Sequence, residues 1–206
     1  HRPGQGVGIG PLGVLGGAFN PPHIGHLLLA QEARHALGLD EVLLMVTGRA
    51  PHKEIEDDPG AHVRLELARA AARGEEGVEA SDLVVEREGP SYSYLTLEQL
   101  AEADPGREIH WLLGADMAAA LESWERPERV VELARLAVVP RPGTELDEVS
   151  EALERGGAAD RAEIIQMPVC GVSSTLIRER TAAGLPLRHL VPDPVIELIG
   201  ERGLYR

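Results

Sequence analysis

The chain has one cysteine, Cys170, and one lysine, Lys53, among its 206 residues. A single thiol excludes an internal disulfide and a zinc site made of several thiolates. Acidic residues outnumber Lys and Arg by 34 to 20, which gives a formal net charge of −14. This balance argues against a general nucleic-acid-binding protein, which would present a basic surface. A local cationic pocket is still compatible with it, because charge fields act over short distances.

Long apolar runs are missing as well. No stretch is long enough to span a membrane, and the N-terminus lacks a signal-peptide pattern. We therefore expect no membrane partner and a cytoplasmic location. Residues 1–11 show no hydrophobic periodicity, and we expect them to be a flexible leader. The 43% of apolar residues is ordinary for one medium-sized domain with a sizeable core.

Short apolar runs alternate with helical patterns along the rest of the chain. The apolar runs predict strands at 12–15, 41–46, 83–86, 109–113, 136–140 and 163–167. Helices are predicted near 25–37, 61–73, 94–103, 115–122, 127–134 and 145–155. This alternation predicts a doubly wound α/β fold, in which helices cover both faces of a parallel sheet. Ligands of such folds bind at the carboxyl ends of the strands.

The pattern changes after Met167, where no further strand is predicted. Helices are expected to start near Ser174 and at Pro192–Pro194 and to pack back on the sheet. We therefore divide the chain into the leader (1–11), a nucleotide-binding domain of the Rossmann type (12–170) and a helical C-terminal segment (171–206).

The segment GGAFNPPHIGH, Gly16 to His26, joins the first predicted strand to the first helix. Two glycines let backbone N–H groups approach a ligand, and two prolines stiffen the turn. His23 lies just before the helix and His26 in its first turn. Because a helix N-terminus favours an anion, two imidazoles at this point favour phosphate binding.

Other interpretations of the two histidines are weaker. They could be metal ligands, but no further ligands follow at the spacing of a zinc site. Either histidine alone could also be an ordinary surface residue beside a structural turn.

A second anion-binding helix start is predicted in the segment VSSTLIR, Val172 to Arg178. Ser173 or Ser174 is expected to cap this helix, with hydroxyl and N–H groups at its positive end. Arg178, one turn later, carries a guanidinium suited to phosphate oxygens. A capped helix with a surface arginine explains this segment equally well when it is taken alone.

The two segments together resemble the HxGH and SSTxIR motifs of the nucleotidyltransferase superfamily. Similarity to its bacterial nicotinate-mononucleotide adenylyltransferase family extends from about Leu12 to Arg206. Further matching segments lie in the same order, at 51–53, 89–93, 114–116, 123–124, 141–143 and 190–206. The resemblance implies a Rossmann-like nucleotidyltransferase fold, and a reaction that joins ATP and nicotinate mononucleotide into nicotinate adenine dinucleotide in NAD biosynthesis.

The resemblance also implies roles for individual residues on the ATP side. The catalytic residues would be His23, His26 and Arg178. ATP would be bound by two groups of residues: Gly16, Gly17, Ala18 and Phe19 from the first turn, and Gly114, Asp116, Ser173, Ser174 and Thr175. Asp116 could instead only cap the helix that follows Gly114. Mg²⁺ would be carried by the ATP phosphates, without a metal site made by the protein.

The mononucleotide would be bound by seven residues: His52, Lys53, Tyr92, Ser93, Trp124, Glu125 and Arg141. Trp124 would stack on the pyridine ring, although it could equally be a core residue. The chain departs from the family pattern at Ala18, Asn20, Ser93 and Glu125, where a hydroxyl-bearing residue, aspartate, threonine and an aromatic are usual. We expect the Glu125 carboxylate to face solvent, since it would repel a nicotinate carboxylate.

Three other functions stay open at this point. A class I aminoacyl-tRNA synthetase fragment would share the first motif, but the chain has no KMSKS-like loop and is acidic. A pantetheine-phosphate adenylyltransferase would share both motifs but not the segments around Tyr92, Trp124 and the C-terminus. A nucleotide sensor without turnover would keep the fold. The preference for nicotinate over nicotinamide mononucleotide and the formation of a homo-oligomer are not decided by the sequence.

Overall fold

The computed structural model describes residues 10–48, 55–87, 89–140 and 144–206. The strands are β1 (Leu12–Gly17), β2 (Glu41–Val46), β3 (Val78–Ser81), β4 (Ile109–Gly114), β5 (Arg135–Val139) and β6 (Ala162–Ile164). The α-helices of the described ranges are α1 (Ile24–Leu37), α2 (Ala61–Ala72), α3 (Ser93–Ala103), α4 (Ala115–Ala119), α5 (Pro127–Leu133), α6 (Leu146–Arg155), α7 (Ser174–Ala182) and α8 (Asp193–Arg202). Short 3₁₀ helices cover Leu121–Ser123 and Ala159–Arg161.

The six strands form one parallel sheet in the order β3-β2-β1-β4-β5-β6. The order reverses between β1 and β4, since the chain first adds strands on one side of β1 and then on the other. A crevice opens at such a switch point, outside the carboxyl ends of the strands. The predicted doubly wound fold is therefore confirmed, and a ligand site is expected at the carboxyl ends of β1 and β4.

Apolar side chains on both faces of the sheet explain why its strands are buried. On β4, Trp111 and Leu113 pack in one core with α3, α5 and α6, whereas Leu112 points to the other core, with α1 and α2. On β5, Leu136 and Ala137 divide in the same way. This alternation on strands that are apolar at every position requires helices on both faces.

The third strand does not lie where the apolar run 83–86 predicts it. The strand is Val78–Ser81, which pairs with β2 through Val42 and Val78, while residues 83–86 form turns. Val84 is nevertheless buried in the core. The prediction was wrong because burial of an apolar run does not require an extended backbone, and because an edge strand tolerates polar residues such as Glu79.

The C-terminal segment packs mainly on α2 rather than directly on the sheet. Buried side chains of α7, α8 and the loop between them contact one face of α2, including Ile177, Val195 and Ile199 against Leu67 and Ala71. The other face of α2, with Leu65 and Ala68, belongs to the core under the sheet. α2 thus separates the tail from the strands.

The first described residues are bound to the fold. The N–H of Gly10 donates to Oδ2 of Asp40 at 2.7 Å, and Nε of Arg107 donates to the carbonyl of Gly10 at 3.0 Å. The rest of the predicted leader, residues 1–9, lies outside the described residues. Among the helices that the structure does describe, none combines the length and the apolar character needed to cross a membrane.

Candidate active site

The last two residues of β1 are glycines that lie against aromatic rings. A Cβ atom on Gly16 would lie 3.3 Å from the ring of Trp111, and one on Gly17 would lie 3.3 Å from the ring of Phe19. Both distances are shorter than ordinary contacts, so larger residues would displace these rings. The glycines therefore allow close packing, in addition to the open backbone expected from the sequence.

The two histidines of the first motif together cap the N-terminus of helix α1. His23 is the N-cap residue, and its Nδ1 accepts a hydrogen bond from the N–H of Gly25 at 3.2 Å. The N–H of His23 in turn donates to Nδ1 of His26 at 3.1 Å. This is the geometry of a capping box, with imidazoles in place of the usual hydroxyl and carboxylate. The ring centroids of the two histidines are 3.8 Å apart.

This capping determines which ring nitrogen can donate. A neutral imidazole has one acceptor and one donor nitrogen. Because Nδ1 of both His23 and His26 accepts a backbone hydrogen bond, each ring carries its hydrogen on Nε2. The helix start therefore presents two imidazole N–H donors beside the positive end of a helix dipole, an arrangement suited to an anion.

Helix α7 starts next to the same turn. Ser173 is its N-cap residue, and its Oγ accepts a hydrogen bond from the N–H of Leu176 at 3.2 Å. The Oγ of Ser174 donates to the carbonyl of Pro21 at 2.8 Å. The predicted capped helix is confirmed, with Ser173 as the cap, and the second motif is joined to the first through Pro21.

A cavity of about 1110 Å³ lies between these two helix starts and the ends of β1 and β4. Its lining includes twelve of the residues predicted from the sequence, ten of which are Gly16, Gly17, His23, His26, Tyr92, Ser93, Trp124, Glu125, Ser173 and Ser174. Gly114 and Asp116 line it as well. The two motifs, 146 or more residues apart in the sequence, therefore face one cavity.

The side of the cavity beyond β4 is formed by Gly114 and Asp116. Gly114 ends β4 and is the N-cap residue of α4, so Asp116 lies in the first turn of that helix and is not its cap. A carboxylate in a first turn is favoured by the helix dipole. Asp116 is exposed at the cavity wall, where a carboxylate can accept hydrogen bonds from hydroxyl groups.

Another wall carries the aromatic residues. Tyr92 and Ser93 stand at the start of α3, and Trp124 follows the 3₁₀ helix Leu121–Ser123. Trp124 is half-buried and packs against the core, and it also lines the cavity, so its stacking on a pyridine ring stays a prediction. Glu125 is exposed at the edge of the cavity, as expected.

Comparison with known proteins agrees with this geometry. A cytidylyltransferase-like family model matches residues 14–180. A probable nicotinate-nucleotide adenylyltransferase of Roseiflexus sp. is 40% identical over 197 residues, which cover 95% of this chain and 98% of that protein. Another, from Gloeobacter violaceus, is 39% identical over 94% of this chain and 95% of its own length.

The chain belongs to the nicotinate-nucleotide adenylyltransferase family. Solved structures of this family have the same fold. A Plasmodium falciparum nicotinic acid mononucleotide adenylyltransferase complexed with NaAD has a TM-score of 0.78 at 17% identity, with 95% of this chain and 97% of the other covered. The family resemblance found in the sequence is confirmed, as is the nucleotidyltransferase fold.

Three residues expected to bind ATP lie outside the lining of this cavity. Phe19 is buried, and its ring centroid lies 4.9 Å from that of His26, so Phe19 packs against this histidine. Ala18 presents its carbonyl to Arg64 at 2.9 Å. Thr175 lines a neighbouring cavity of about 620 Å³. The ATP-binding roles that the family resemblance implies for these three residues stay predictions.

Arg178, the predicted phosphate-binding arginine, lines that neighbouring cavity too. Its Nη1 donates to the carbonyl of Asn20 at 3.0 Å, and its Nη2 donates to Oε2 of Glu56 at 3.0 Å. Its Nε lies 3.4 Å from Oδ2 of Asp57. The guanidinium thus holds the turn next to the histidines while two carboxylates neutralise it. Phosphate binding would require it to exchange these carboxylates for phosphate oxygens.

The remaining mononucleotide-binding candidates, His52, Lys53 and Arg141, lie outside the described residues. Within the described part of the chain, no three His, Cys, Asp or Glu side chains come together as a metal site.

Sequence reasoning missed Arg64 and the function of Tyr205. Arg64 lies at the buried face of α2, three, four and seven residues before Leu67, Ala68 and Ala71. These spacings place Arg64 on the apolar face of the helix, and a charged residue on such a face is the sequence pattern that indicates a buried cation. No pattern marks the contact of Tyr205, because its partner is 185 residues away.

Tyr205 fixes the amide of Asn20. Its hydroxyl donates to Oδ1 of Asn20 at 2.6 Å, while Nδ2 of Asn20 donates to the carbonyl of Glu56 at 2.6 Å. Burial raises the pKa of the Tyr205 phenol well above its usual value. An amide suits this position, because Asn20 must donate on one side and accept on the other.

Proposed function

We propose that the protein transfers the adenylyl group of ATP to nicotinate mononucleotide, releasing nicotinate adenine dinucleotide and pyrophosphate. One observation carries the proposal. The histidine-capped start of α1 and the serine-capped start of α7 meet at a cavity whose other walls hold Asp116 and Trp124. The cavity thus combines anion-binding helix starts with a carboxylate for ribose hydroxyls and an aromatic surface for a flat ring.

The reaction is an in-line displacement at phosphorus. An oxygen of the mononucleotide phosphate attacks the α-phosphorus of ATP and forms the new P–O bond. The bond from the α-phosphorus to the bridging oxygen of the β-phosphoryl group breaks, and pyrophosphate leaves with its electron pair. Because the attacking phosphate is already an anionic nucleophile, the protein needs no nucleophile of its own. Its contribution is to position two anions and to stabilise the charge of the transition state.

The histidine donors suit this task. We assign Nε2–H of His26 to the α-phosphate, and Nε2–H of His23 together with Arg178 to the β- and γ-phosphates. From α7, Ser173 brings a hydroxyl group to the phosphates and Ser174 a backbone N–H, since the Ser174 hydroxyl already donates to Pro21. These groups are donors that match phosphate oxygens rather than ligands of a metal, so Mg²⁺ enters as part of the substrate, on the phosphates of ATP.

The acceptor is chosen at the aromatic wall. Trp124 offers a face for the pyridine ring, and Tyr92 and Ser93 offer hydroxyl groups at the start of α3. The exposed Glu125 leaves its backbone N–H as the group beside a nicotinate carboxylate. His52, Lys53 and Arg141 are proposed to bind the mononucleotide phosphate on the basis of the family pattern alone.

Pyrophosphate release from ATP tests the proposal when three acceptors are compared. Nicotinate mononucleotide should support release. The rate with nicotinamide mononucleotide, compared with the rate with nicotinate mononucleotide, measures the preference for the acid over the amide. Release with phosphopantetheine alone would identify the protein as a different adenylyltransferase. Release with none of the three would overturn the proposal in favour of a nucleotide sensor.

The proposal includes a cytoplasmic location, which fractionation of cells that express the protein would test. Homo-oligomer formation is open, and light scattering of the purified chain would decide it.

A further inference from the structure

Arg64 is the only charged side chain with no solvent-exposed surface among the described residues. It lies on α2, beneath the carboxyl ends of β1 and β2, and does not line the cavity. Removing a guanidinium from water is costly unless its N–H groups are satisfied. Its partners therefore indicate what the fold gains from keeping a cation in this place.

With residues that the structure describes, Arg64 makes four hydrogen bonds, three of them to main-chain carbonyls. Its Nη1 donates to the carbonyls of Ala18 at 2.9 Å and Thr47 at 2.7 Å, and its Nη2 donates to that of Gly48 at 3.1 Å. Its Nε donates to Oδ1 of Asp58 at 2.8 Å, which balances the charge. One planar side chain thus joins the ends of two strands.

One of these carbonyls, that of Ala18, belongs to the segment that leads to the histidines, and the other two follow β2. Ala18 is followed by Phe19, which adopts a φ of 51° although it is not a glycine. Such a backbone is unfavourable for a bulky residue and persists only where neighbouring contacts hold it. The ring of Phe19 packs against His26, and the N–H of Thr47 donates to the carbonyl of Gly17 at 2.9 Å. Arg64 therefore holds this turn through the carbonyl of Ala18, and the turn contacts His26 through the ring of Phe19.

We propose that Arg64 is a positioning residue for adenylyl transfer. From outside the cavity, its guanidinium fixes the peptide groups at the ends of β1 and β2 and so the place of the His26 Nε2–H relative to the α-phosphate. This inference rests on the proposed function. It separates Arg64 from a residue that only stabilises the core, because the effect of a positioning residue must pass through the histidine.

The test is a double-mutant cycle of Arg64→Lys with His26→Asn in the full chain, using pyrophosphate release with nicotinate mononucleotide. A lysine keeps the charge but has one nitrogen, which cannot bridge the three carbonyls. An asparagine at position 26 keeps an acceptor near the place of Nδ1 and removes the Nε2–H. Arg69→Lys is the matched control, since Arg69 is on the same helix but pairs with Asp82 at the surface.

Arg64→Lys should lower kcat about tenfold, because misplaced catalytic donors cost rates of this order or more. The KM for ATP should change less than about threefold, because the contacts of the adenosine are on the β4 side of the cavity. In the His26→Asn background the same substitution should lower kcat less than about twofold, because the group it positions is gone. Arg69→Lys should leave both backgrounds within about twofold.

Two results would overturn the proposal while leaving the proposed function intact. One is an unchanged kcat in Arg64→Lys. The other is a tenfold loss that appears equally with and without the His26 imidazole, as a general effect on the core would produce. Lack of pyrophosphate release by the wild-type chain would instead refute the proposed function itself.

Asp58→Ala provides the same test if Arg64→Lys does not fold. Asp58 is one-third exposed and, within the described ranges, is the only side-chain partner of Arg64. Its removal should lower kcat about threefold, and this loss should again vanish in the His26→Asn background. A kcat equal to that of the wild type, or a loss that persists in that background, would refute the positioning role.

Discussion

His26 has two functions at two different nitrogen atoms, and two substitutions can separate them. Its Nδ1 accepts the hydrogen bond from the N–H of His23 that caps α1. Its Nε2–H is the proposed donor to the α-phosphate. His26→Asn places an acceptor near Nδ1 and nothing at Nε2, whereas His26→Gln extends an amide donor toward the place of Nε2 and can still cap α1, as glutamine usually does at this position of a capping box.

The expected sizes follow from the kind of group that each substitution removes. Loss of one donor to a transition state costs roughly 10²-fold to 10³-fold in kcat, so His26→Asn should be slowed by about this factor. Its thermal stability should be close to that of the wild type. Because glutamine is a usual residue at this position of a capping box, His26→Gln should also have a Tm close to that of the wild type. Its kcat should be at least tenfold above that of the asparagine variant.

Two measurements on the same preparations decide the matter: steady-state pyrophosphate release at saturating substrates, and thermal unfolding followed by circular dichroism. Near wild-type turnover by His26→Asn would refute the assignment of Nε2–H to the reaction. A glutamine variant that is no faster than the asparagine variant would show that a donor at the place of Nε2 does not support catalysis.

Three further perturbations test other contacts of the site. Tyr205→Phe should lower the free energy of unfolding at pH 7 by about 1–2 kcal/mol, through loss of a buried hydrogen bond. Because folding raises the pKa of this phenol, the contribution of Tyr205 to the free energy of unfolding is fully present below the ordinary tyrosine pKa of about 10. This contribution falls as the pH rises above that value. The advantage of the wild type over Tyr205→Phe in urea unfolding should therefore shrink above pH 10, and a constant difference would contradict this origin. Combined Glu56→Gln and Asp57→Asn should lower the KM for ATP about threefold, since exposed carboxylates that compete for Arg178 hold it weakly; a raised KM would indicate that they orient the arginine productively. Trp124→Ala should raise the KM for nicotinate mononucleotide roughly 3-fold to 10-fold and that for ATP less than twofold, which initial rates at varied acceptor would show, and equal effects would refute stacking on the acceptor.

The elements that the sequence predicted well are those whose burial leaves a local signal. β1, β2, β4 and β5 are apolar at nearly every position, because helices cover both of their faces. β3 failed this rule, since it lies at the edge of the sheet and includes Glu79, while the more apolar residues around Val84 fill the core from a turn. Local patterns report burial, and they predict extended structure only where burial and pairing coincide.

The candidate site divides in the same way. Both helix starts were visible in the sequence, because caps and dipoles involve residues within one turn of each other. The partners of Arg178 and Arg64 were not, since Glu56 is 122 residues from Arg178 and Ala18 is 46 residues from Arg64. Such contacts depend on how α2 and the tail pack, which no local spacing encodes.

The contacts of Ser174 and Tyr205 with the turn at Asn20 and Pro21 also have a consequence for the order of synthesis. A ribosome makes the turn long before its partners, since Ser174 follows Pro21 by 153 residues and Tyr205 follows Asn20 by 185. A nascent chain can therefore carry both histidines and most of the sheet while one wall of the cavity has yet to be translated. The cavity is complete only when α7 and α8 have been translated and have packed on α2.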